Sequence, residues 1–454
     1  MIISRLIAPL CLVFSAISYA AVPQAEAEKL GNSLTPVGAI KEGSADGTIP
    51  AWDGKKVSSV GAKVEGKSAD PYADEKPLFK ITAANIKEYE DKVSEATKEM
   101  IRRFPDSFYL NVYPTHRSIY YPEKFYELTK TNALNCTTSD NRIALVGCFG
   151  GVPFPFPQNG YEVMWNVATA PKPAHYRTVS QGIILDSSGS AVQAAIQDTF
   201  VDSPYHDLNS SLEEYEKNGH RYFRASVKQV APARIAGDAN MITFTSNPSS
   251  FKNQGWQYQQ GNRRVRVNPQ AEYDFPTVVS GGSAFYDETG LFLGKMDKFD
   301  FKLIGKKEMY IPYNTQRTLN ATVEEFAAAK KHPNSEMVRW ELHRVWVVEA
   351  TLKPGERHAS AKRVFYVDED YYGAGLMDSW DSAGNFHKLS WTMSNMDHHR
   401  GWPVGGSQLW IDLATGVSYI NVMTNFQGAG KVARDDVYPA TTWTPEGLAR
   451  RSSR

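Results

Sequence analysis

The chain has 454 residues with 50 basic and 50 acidic side chains, so its formal net charge at pH 7 is zero. This balance excludes a typical nucleic-acid-binding protein, which needs a basic excess to displace the counterions of the phosphates. Hydrophobic residues make up 42% of the sequence, which provides material for a core and excludes global disorder. After residue 20 no apolar run approaches the roughly 18 residues of a membrane-spanning helix.

Residues 1–20 have the pattern of a secretory signal peptide. A positive charge precedes an apolar stretch over residues 6–17, and small residues follow at Ser18 and Ala20. We therefore expect cleavage near residue 20 and export to the periplasm. Cys11 lies in the middle of the apolar stretch, whereas a lipidated cysteine belongs at its end, so we expect a mature protein without a lipid anchor.

Residues 21–80 are rich in Gly, Pro, Ser and Ala, show no sustained period and are predicted to form an extended N-terminal arm. Residues 81–454 are predicted to form a single large β-rich domain that also contains helices near residues 82–104, 161–167 and 322–331. The first of these helices is indicated by apolar residues at helical spacing, with Thr82 as its N-cap and Pro105 directly after its end.

Removal of the leader leaves two cysteines, Cys136 and Cys148. An even pair in an exported chain predicts a disulfide. A short loop of this kind stabilises the fold by about 3 kcal/mol in the chain-entropy model. A redox or metal-binding pair is the alternative, but it needs closer spacing, such as C-x-x-C.

From residue 221 onward the dominant period is two, which predicts strands rich in Val, Tyr, Trp and Phe. Short turns between them indicate antiparallel pairing, and the longest segments indicate a long, twisted and curled sheet. The predicted strands are Tyr222–Val230, Met241–Ser246, Trp256–Val267, Met337–Leu352, Lys362–Val367, Lys388–Met393 and Gln408–Met423.

Met337–Leu352 has one face that is apolar apart from Arg344, and a mixed face that we expect to be partly exposed to water. Core packing explains an apolar face, but the wall of a cavity for an apolar ligand explains it as well. Arg344 on this face needs an acidic partner or a ligand head group, because an unpaired buried charge costs several kcal/mol, unless a bulge turns it outward. The predicted ligand-binding residues are Trp340, Leu342, Arg344, Trp346, Val348, Phe365 and Trp165.

No catalytic motif stands out, so we predict that the protein is not an enzyme and requires no cofactor or metal. Asp397-His398-His399 is the one metal-like cluster, but adjacent histidines on a strand point to opposite faces. Gly428–Ala433 resembles a dinucleotide-binding turn, yet too few residues follow to complete that fold. Scattered Ser, His and Asp residues leave a hydrolase triad open.

Two basic segments, Lys353–His358 and Arg263–Arg266, are predicted to lie in a turn and on a strand. Each is explained by an ordinary solvated surface. Contact with an anionic membrane surface, a lipid head group or an acidic partner barrel is the functional alternative.

Five long segments in order resemble the bacterial family called domain of unknown function 1329, whose members are often labelled outer-membrane lipoprotein-sorting-like proteins. These segments are LTPVGAIKEGSADGTIPAWDG, VYPTHR, GGVPFPFPQNGYEVMWN, FDFKLIGKKEMYIPYN and RWELHRVWVVEATLKPGERH. The resemblance implies an α+β, mainly β fold of the LolA/LolB type: a large curved antiparallel sheet, an incomplete barrel, with helices over its concave face. It also implies partners, namely an outer-membrane β-barrel protein and possibly an RND-type inner-membrane transporter.

The main functional hypothesis is a periplasmic carrier that holds a lipid or another hydrophobic small molecule in the hollow of the sheet and transfers it across the envelope. The alternative is a scaffold with a solid core that bridges envelope partners. A hydrolase of hydrophobic esters is the third possibility. Nucleic acid is not expected as a partner.

Overall fold

The computed structural model describes residues 21–57, 70–319, 322–398, 401–423, 432–433 and 437–453. The predicted signal peptide, with Cys11, lies outside these residues. Among the residues that are described, no helix is both long enough and apolar enough to span a membrane.

Most strands belong to one 16-stranded sheet, in the order β1-β2-β12-β13-β14-β15-β16-β17-β5-β6-β7-β8-β9-β10. β11 pairs with the other side of β12, β18 pairs with β5, and β3 and β4 form a separate hairpin. The strands are β1 (Phe79–Ile81), β2 (Leu110–Val112), β3 (Thr137–Ser139), β4 (Ala144–Val146), β5 (His175–Leu185), β6 (Ala191–Asp202), β7 (Arg221–Ala231), β8 (Ala239–Thr245), β9 (Gln254–Gln259), β10 (Arg264–Val267), β11 (Phe299–Pro312), β12 (Arg339–Leu352), β13 (Lys362–Asp368), β14 (Gly375–Trp380), β15 (Phe386–Asp397), β16 (Trp402–Asp412), β17 (Val417–Met423) and β18 (Val432–Ala433).

The helices are short and lie around this sheet. They are α1 (Gln24–Ala27), α2 (Glu95–Arg103), α3 (Glu123–Asn135), α4 (Gly160–Ala168), α5 (Leu212–Lys217), α6 (Gln316–Leu319), α7 (Val323–Phe326) and α8 (Pro445–Ser452), with 3-10 turns at Ile86–Lys92, Pro204–His206, Tyr286–Glu288, Ser335–Met337 and Ala440–Trp443. The predicted class, α+β with mainly β structure, is confirmed.

The sheet is open and strongly curled. The path of paired strands runs from β1 to β10, with β11 on the other side of β12, and neither β1 nor β11 pairs with β10, so the predicted incomplete barrel is confirmed. β11 also contacts β14 and β15, and the Thr315 amide beyond it donates to the Ser394 carbonyl of β15 at 3.1 Å. One correction concerns strand direction: β2 runs parallel to β12, whereas we expected a wholly antiparallel sheet.

The predicted helix over residues 82–104 is wrong in extent. A 3-10 turn at Ile86–Lys92 is followed by extended Val93, and α2 starts only after Ser94. The Ser94 hydroxyl accepts from the Thr97 amide and donates to Asp378 on β14, whose carboxylate also accepts from the Ala96 amide. The start of α2 is therefore determined by a tertiary contact. The local spacing of apolar residues does not indicate this contact.

The other helix predictions have mixed outcomes. The helix near residues 161–167 is confirmed as α4, and the Asn159 side chain caps it by accepting from the Glu162 amide. The helix over 322–331 is wrong in length, because α7 ends at Phe326 although Thr322 and Glu325 form a capping box.

Two long strand predictions are wrong because each is a hairpin. Trp256–Val267 divides into β9 and β10 at a turn where Arg263 has a positive φ of 49°. Gln408–Met423 divides into β16 and β17, where the Asp412 carboxylate accepts from the amides of Ala414 and Thr415. β5, β6, β11 and β14 were not among the predicted strands.

The arm residues described here, 21–57 and 70–78, pack on the body. Val37, Ala39 and Ile49 are buried and belong to the main hydrophobic core. Glu75 pairs with Arg339 at the start of β12, with 2.7 Å between carboxylate and guanidinium. The mixed face of β12 is partly wet only towards its end: Arg339, Glu341 and His343 are buried, whereas Glu349 is half-buried.

Candidate functional site

A cavity of about 280 Å³ lies on one face of β5–β8, β16 and β17, which we call the inner face. The end of α4 and part of the connection between β10 and β11 complete its wall. It is lined by Val167, Ala168, Ala170, Lys172, Tyr176, Thr178, Ser180, Gln197, Thr199, Val201, Phe223, Ala225, Val227, Gln229, Asn240, Ile242, Thr277, Val278, Val279, Tyr286, Thr289, Gly290, Phe292, Leu293, Tyr371, Gly373, Thr392, Ser407, Gln408, Trp410, Tyr419 and Asn421.

Strand alternation separates this cavity from an outer layer. On β8, Asn240 and Ile242 line the cavity, while Ala239 and Met241 belong to a separate cluster with Leu448 of α8. The C-terminal residues 437–453 thus cover the outer face of the same strands. The sheet here is a wall between a packed layer and a hollow.

The cavity wall combines apolar surface with polar atoms that have no partner. Phe223, Phe292 and Trp410 contribute aromatic surface. The Thr178 hydroxyl and the side-chain carbonyl of Gln229 are buried without a hydrogen-bond partner among the described residues. Because buried polar groups are normally paired, these atoms fit a cavity that receives water or a polar part of a ligand.

The roof of the cavity is the connection over residues 268–298, which we call the roof segment. It is anchored by Asp287, whose carboxylate pairs with Arg363 of β13 at 2.9 Å and with His358 at 3.1 Å. Burial alone would raise the pKa of Asp287, but the charge of Arg363 and the hydrogen bonds to His358 and Arg363 outweigh it and hold the pKa well below its usual value. The roof segment is therefore tied to the sheet by a buried ion pair.

Glu288 adds a second anchor to the roof segment. Its carboxylate lies 3.5 Å from the ammonium of Lys388 on β15, and its backbone carbonyl accepts from the Gln408 side chain at 2.7 Å. Burial raises the pKa of Glu288 and lowers that of Lys388. These contacts hold the roof over β15 and β16.

Lys172 is the cation in the cavity wall. It lies between the end of α4 and the start of β5, and its ammonium is 5.4 Å from the ring centroid of Phe223. No ion pair or hydrogen bond joins its side chain to the residues that are described. Burial lowers the pKa of Lys172 to about 8.

All of the predicted ligand-binding residues are described, and none of them lines this cavity. Trp340, Leu342, Val348, Phe365 and Trp165 are buried in the main core. The Trp340 and Trp391 rings meet edge to face at 5.1 Å, and Trp346 packs partly buried with the Lys306 ammonium 4.3 Å from its ring. The tryptophan-bearing face of β12 is filled by the chain itself.

Arg344 also finds its partners within the chain. Its guanidinium donates to the Glu42 carbonyl of the arm at 2.8 Å and lies 3.7 Å from Glu369. Glu369 pairs in turn with Lys306 at 2.6 Å. The charge on the apolar face of β12 is therefore neutralised without a ligand.

The mixed face of β12 holds a buried polar network. Glu341 accepts from Arg339, from the His116 amide and from Asn314. Burial would lower the pKa of His343, but hydrogen bonds to Asp368 and Glu341 outweigh it and raise the pKa to about 9. This network links the arm, β12 and β13.

One group among the described residues has the spacing of metal ligands: His343, Asp368 and Asp370. Its members are engaged in other contacts, since Asp370 accepts two hydrogen bonds from Arg117 at 2.7 and 2.8 Å and Tyr313 donates to Asp368 at 3.0 Å. The predicted metal-like cluster at Asp397 falls partly outside the described residues, which include His398 but not His399. Most of Gly428–Ala433 also lies outside them.

The predicted disulfide is confirmed. Cys136 and Cys148 are bonded, with their Cα atoms 4.7 Å apart. The bond joins the end of α3 to the chain after β4, and both cysteines are buried in the main core.

The sequence contains a signal for the cavity in β5 and β6, which were not among the predicted strands. Beyond Tyr176 and Val201, the inner positions of β5 and β6 are Thr178, Ser180, Gln197 and Thr199, so these strands lack a continuous row of large apolar residues. Small and polar side chains at alternating positions leave space and unpaired polar atoms on one face. Because of these side chains, β5 and β6 lack the alternation of apolar and polar residues from which the other strands were predicted.

Comparisons with known proteins were made against families, curated sequences and solved structures. A family model described as protein of unknown function DUF1329 matches residues 80–449. An uncharacterized protein of Pseudomonas aeruginosa is 37% identical over 443 residues, which cover 96% of this chain and 95% of that protein.

Three solved structures show weaker similarity. A putative outer membrane lipoprotein-sorting protein domain from Vibrio parahaemolyticus has a TM-score of 0.43 at 12% identity, covering 64% of this chain and 98% of its own. A DUF1329 family protein from Desulfovibrio piger has a TM-score of 0.43 at 12% identity, covering 64% and 97%. A LolA superfamily protein from Nitrosomonas europaea has a TM-score of 0.35 at 12% identity, covering 63% and 98%. The family match and the sequence identity to the Pseudomonas protein show that this chain belongs to the DUF1329 family.

Proposed function

We propose that the protein is a periplasmic carrier that holds a lipid or another hydrophobic small molecule in the inner-face cavity. The observation that supports this proposal is the cavity itself, about 280 Å³ in volume and walled by Phe223, Ile242 and Trp410. Its volume is close to the lower end of the range typical of small-molecule sites. Each methylene group buried there contributes about 0.8 kcal/mol, so an alkyl chain gains affinity without any catalytic chemistry.

The loop over residues 276–285 of the roof segment provides the passage in this proposal. Val278 lines the cavity and is also 55% exposed, so the loop separates the cavity from solvent at this point. Gly281 and Gly282 have φ values of 62° and 90°, a conformation that favours glycine and permits the tight reversal. We infer that the ligand enters and leaves beneath this loop.

The first experiment is native mass spectrometry of the protein purified from periplasm, before and after organic extraction. A carrier retains a co-purifying hydrophobic molecule, which is released by extraction. Protein that is consistently free of such a molecule, and that also fails to bind an added alkyl probe, contradicts the proposal.

A cavity-filling substitution tests the location of the site. Val227→Trp on β7 places a large ring in the cavity, and we expect it to abolish retention of the ligand. Val230→Trp on the same strand is the matched control, because Val230 is 50% exposed and does not line the cavity. Equal ligand retention by the two variants would place the binding site elsewhere.

We further propose that an outer-membrane β-barrel protein, and an RND-type transporter of the inner membrane, exchange the ligand with this carrier. The edge strand β10 supports a docking role for an acidic partner, since Arg264 and Arg266 are both exposed. Photo-crosslinking from position 266 in intact cells tests this, with position 217 on exposed α5 as the control. If V227W still captures the same partner and supports the same envelope phenotype, the scaffold function is the better account.

A further inference from the structure

Lys172, which is half-buried in the cavity wall, differs from the buried cations of the sheet. Arg363 has Asp287, Lys388 has Glu288, and Arg344 has Glu369 and the Glu42 carbonyl. Lys172 has no carboxylate partner within the described part of the chain. An ammonium that is partly withdrawn from water without a counter-charge is costly, and an anionic group brought next to it removes that cost.

The position of Lys172 is held by its neighbours in sequence. Pro171 and Pro173 flank it, and a residue before proline is restricted to extended conformations. The preceding helix ends at Ala168, so its C-terminal dipole end also favours a cation nearby. The backbone at Lys172 thus has little conformational freedom left to lose on binding.

Among the described residues that line the cavity, Lys172 has no charged neighbour. Phe223 of β7 offers only its ring, at 5.4 Å from the ammonium. His206, in the 3-10 turn after β6, is the titratable neighbour; burial lowers its pKa well below the usual value, and Lys172 lowers it further, so it stays neutral. Lys172 is therefore the one charged group in the cavity wall as described.

We propose that the ligand is an amphiphile with one anionic end, a carboxylate or a phosphate, which pairs with the Lys172 ammonium while the apolar part lies in the cavity. This inference rests on the carrier function proposed above and specifies the class of its ligand. The hydroxyl of Thr178, which is buried in the same wall without a partner, is available to donate a hydrogen bond to a polar part of the ligand. The binding step forms an ion pair and breaks no covalent bond.

Isothermal titration with four ligands of equal chain length tests the proposal: dodecanoate, dodecyl phosphate, dodecan-1-ol and dodecyltrimethylammonium, each below its aggregation concentration. We expect the two anions to bind more tightly than the alcohol and the cation. The preference between carboxylate and phosphate identifies which kind of head group fits. Near-equal affinity for anion and alcohol overturns the assignment of an anionic ligand.

The variants assign the effect to this residue. Lys172→Met removes the charge and is expected to weaken binding of the anions by about ten- to hundredfold, with the alcohol affected less than about threefold. Lys172→Arg retains the charge and is expected to restore most of the anion preference. Lys217→Met, on exposed α5, is the surface control and is expected to bind as the wild type does.

The outcomes separate the two proposals. If the alcohol and the anions bind equally well, and K172M changes nothing, the carrier function stands and the anionic ligand is wrong. If no alkyl compound binds to the wild type, while thermal unfolding shows a folded protein, the carrier function itself fails.

Discussion

Asp378 shows how one buried carboxyl couples a helix to the sheet and to pH. It accepts hydrogen bonds from the Ser94 hydroxyl and the Ala96 amide at the start of α2. Burial raises the pKa of Asp378 from its usual value to about 7, in spite of these hydrogen bonds. The folded state therefore binds a proton that the unfolded state releases at much lower pH.

The sign of the pH dependence follows from this raised pKa. The contribution of Asp378 to stability is fully present below about pH 4 and is lost as the pH rises through about 7. In the Asp378→Asn variant the side chain cannot ionise, and its amide keeps one hydrogen-bond acceptor and one hydrogen-bond donor for the start of α2. We expect the stability of D378N relative to the wild type to rise by about 1–4 kcal/mol between pH 5 and pH 8.

Urea unfolding of both proteins at several pH values measures this difference and cancels the other titrating groups. Those groups include His175. Burial would lower the pKa of His175, but its hydrogen bonds to Asp202 and Asp207 outweigh burial and raise the pKa to about 9. A stability difference that is constant over the whole range would show that Asp378 does not titrate there.

At the scale of elements, the roof segment is fixed by charges buried in the sheet. Arg363 and Asp287 are both buried, and the guanidinium also lies 4.2 Å from the Phe299 ring. Breaking such a pair leaves one charge uncompensated in a low-dielectric environment, which is costly. The rigid part of the roof is therefore expected to be the part around Asp287, and the mobile part the loop over residues 276–285.

Arg363→Met tests this anchor, and we expect it to lower the free energy of unfolding by about 3–5 kcal/mol. Lys362→Met, one position earlier on β13, is the matched control. Lys362 pairs with Glu349 at the surface at 2.8 Å, so its loss is expected to cost less than about 1 kcal/mol. Similar losses for the two variants in urea unfolding would contradict the structural role of the buried pair.

At the scale of the whole molecule, the cavity wall is one layer between two others. The roof segment covers the inner face, and α8 covers the outer face of β7–β10 with Leu448 in its contact cluster. Arg451 joins the layers: its guanidinium donates to the Ser226 hydroxyl at 3.0 Å and lies 3.8 Å from the Phe200 ring centroid. Loss of the outer layer is therefore expected to soften the wall of the cavity.

Arg451→Ala is expected to destabilise the protein by about 2–3 kcal/mol and to speed amide hydrogen exchange in α8 and β7. Arg450→Ala is the control, because Arg450 is exposed on the same helix and is expected to change stability by less than about 0.5 kcal/mol. Unchanged exchange in R451A would mean that α8 is held by its apolar contacts alone.

The sequence by itself determined the family, the mainly β class, the disulfide and helix α4. Each of these depends on information that is local or that recurs in relatives: a cysteine pair, an Asn159 cap, a period of two. It also supplied the correct argument that a buried cation needs a counter-charge, although we applied it to Arg344.

Only the tertiary structure decided where that argument applies. Arg344 contacts Glu42 and Glu369, which lie outside β12. No local sequence pattern indicates these contacts. Lys172 faces a hollow whose walls come from strands far apart along the chain, and the small polar residues that keep the hollow open also hide those strands from periodicity. A filled core can be recognised in the sequence by its regularly repeating apolar residues. A cavity is defined by residues that only the tertiary structure brings together.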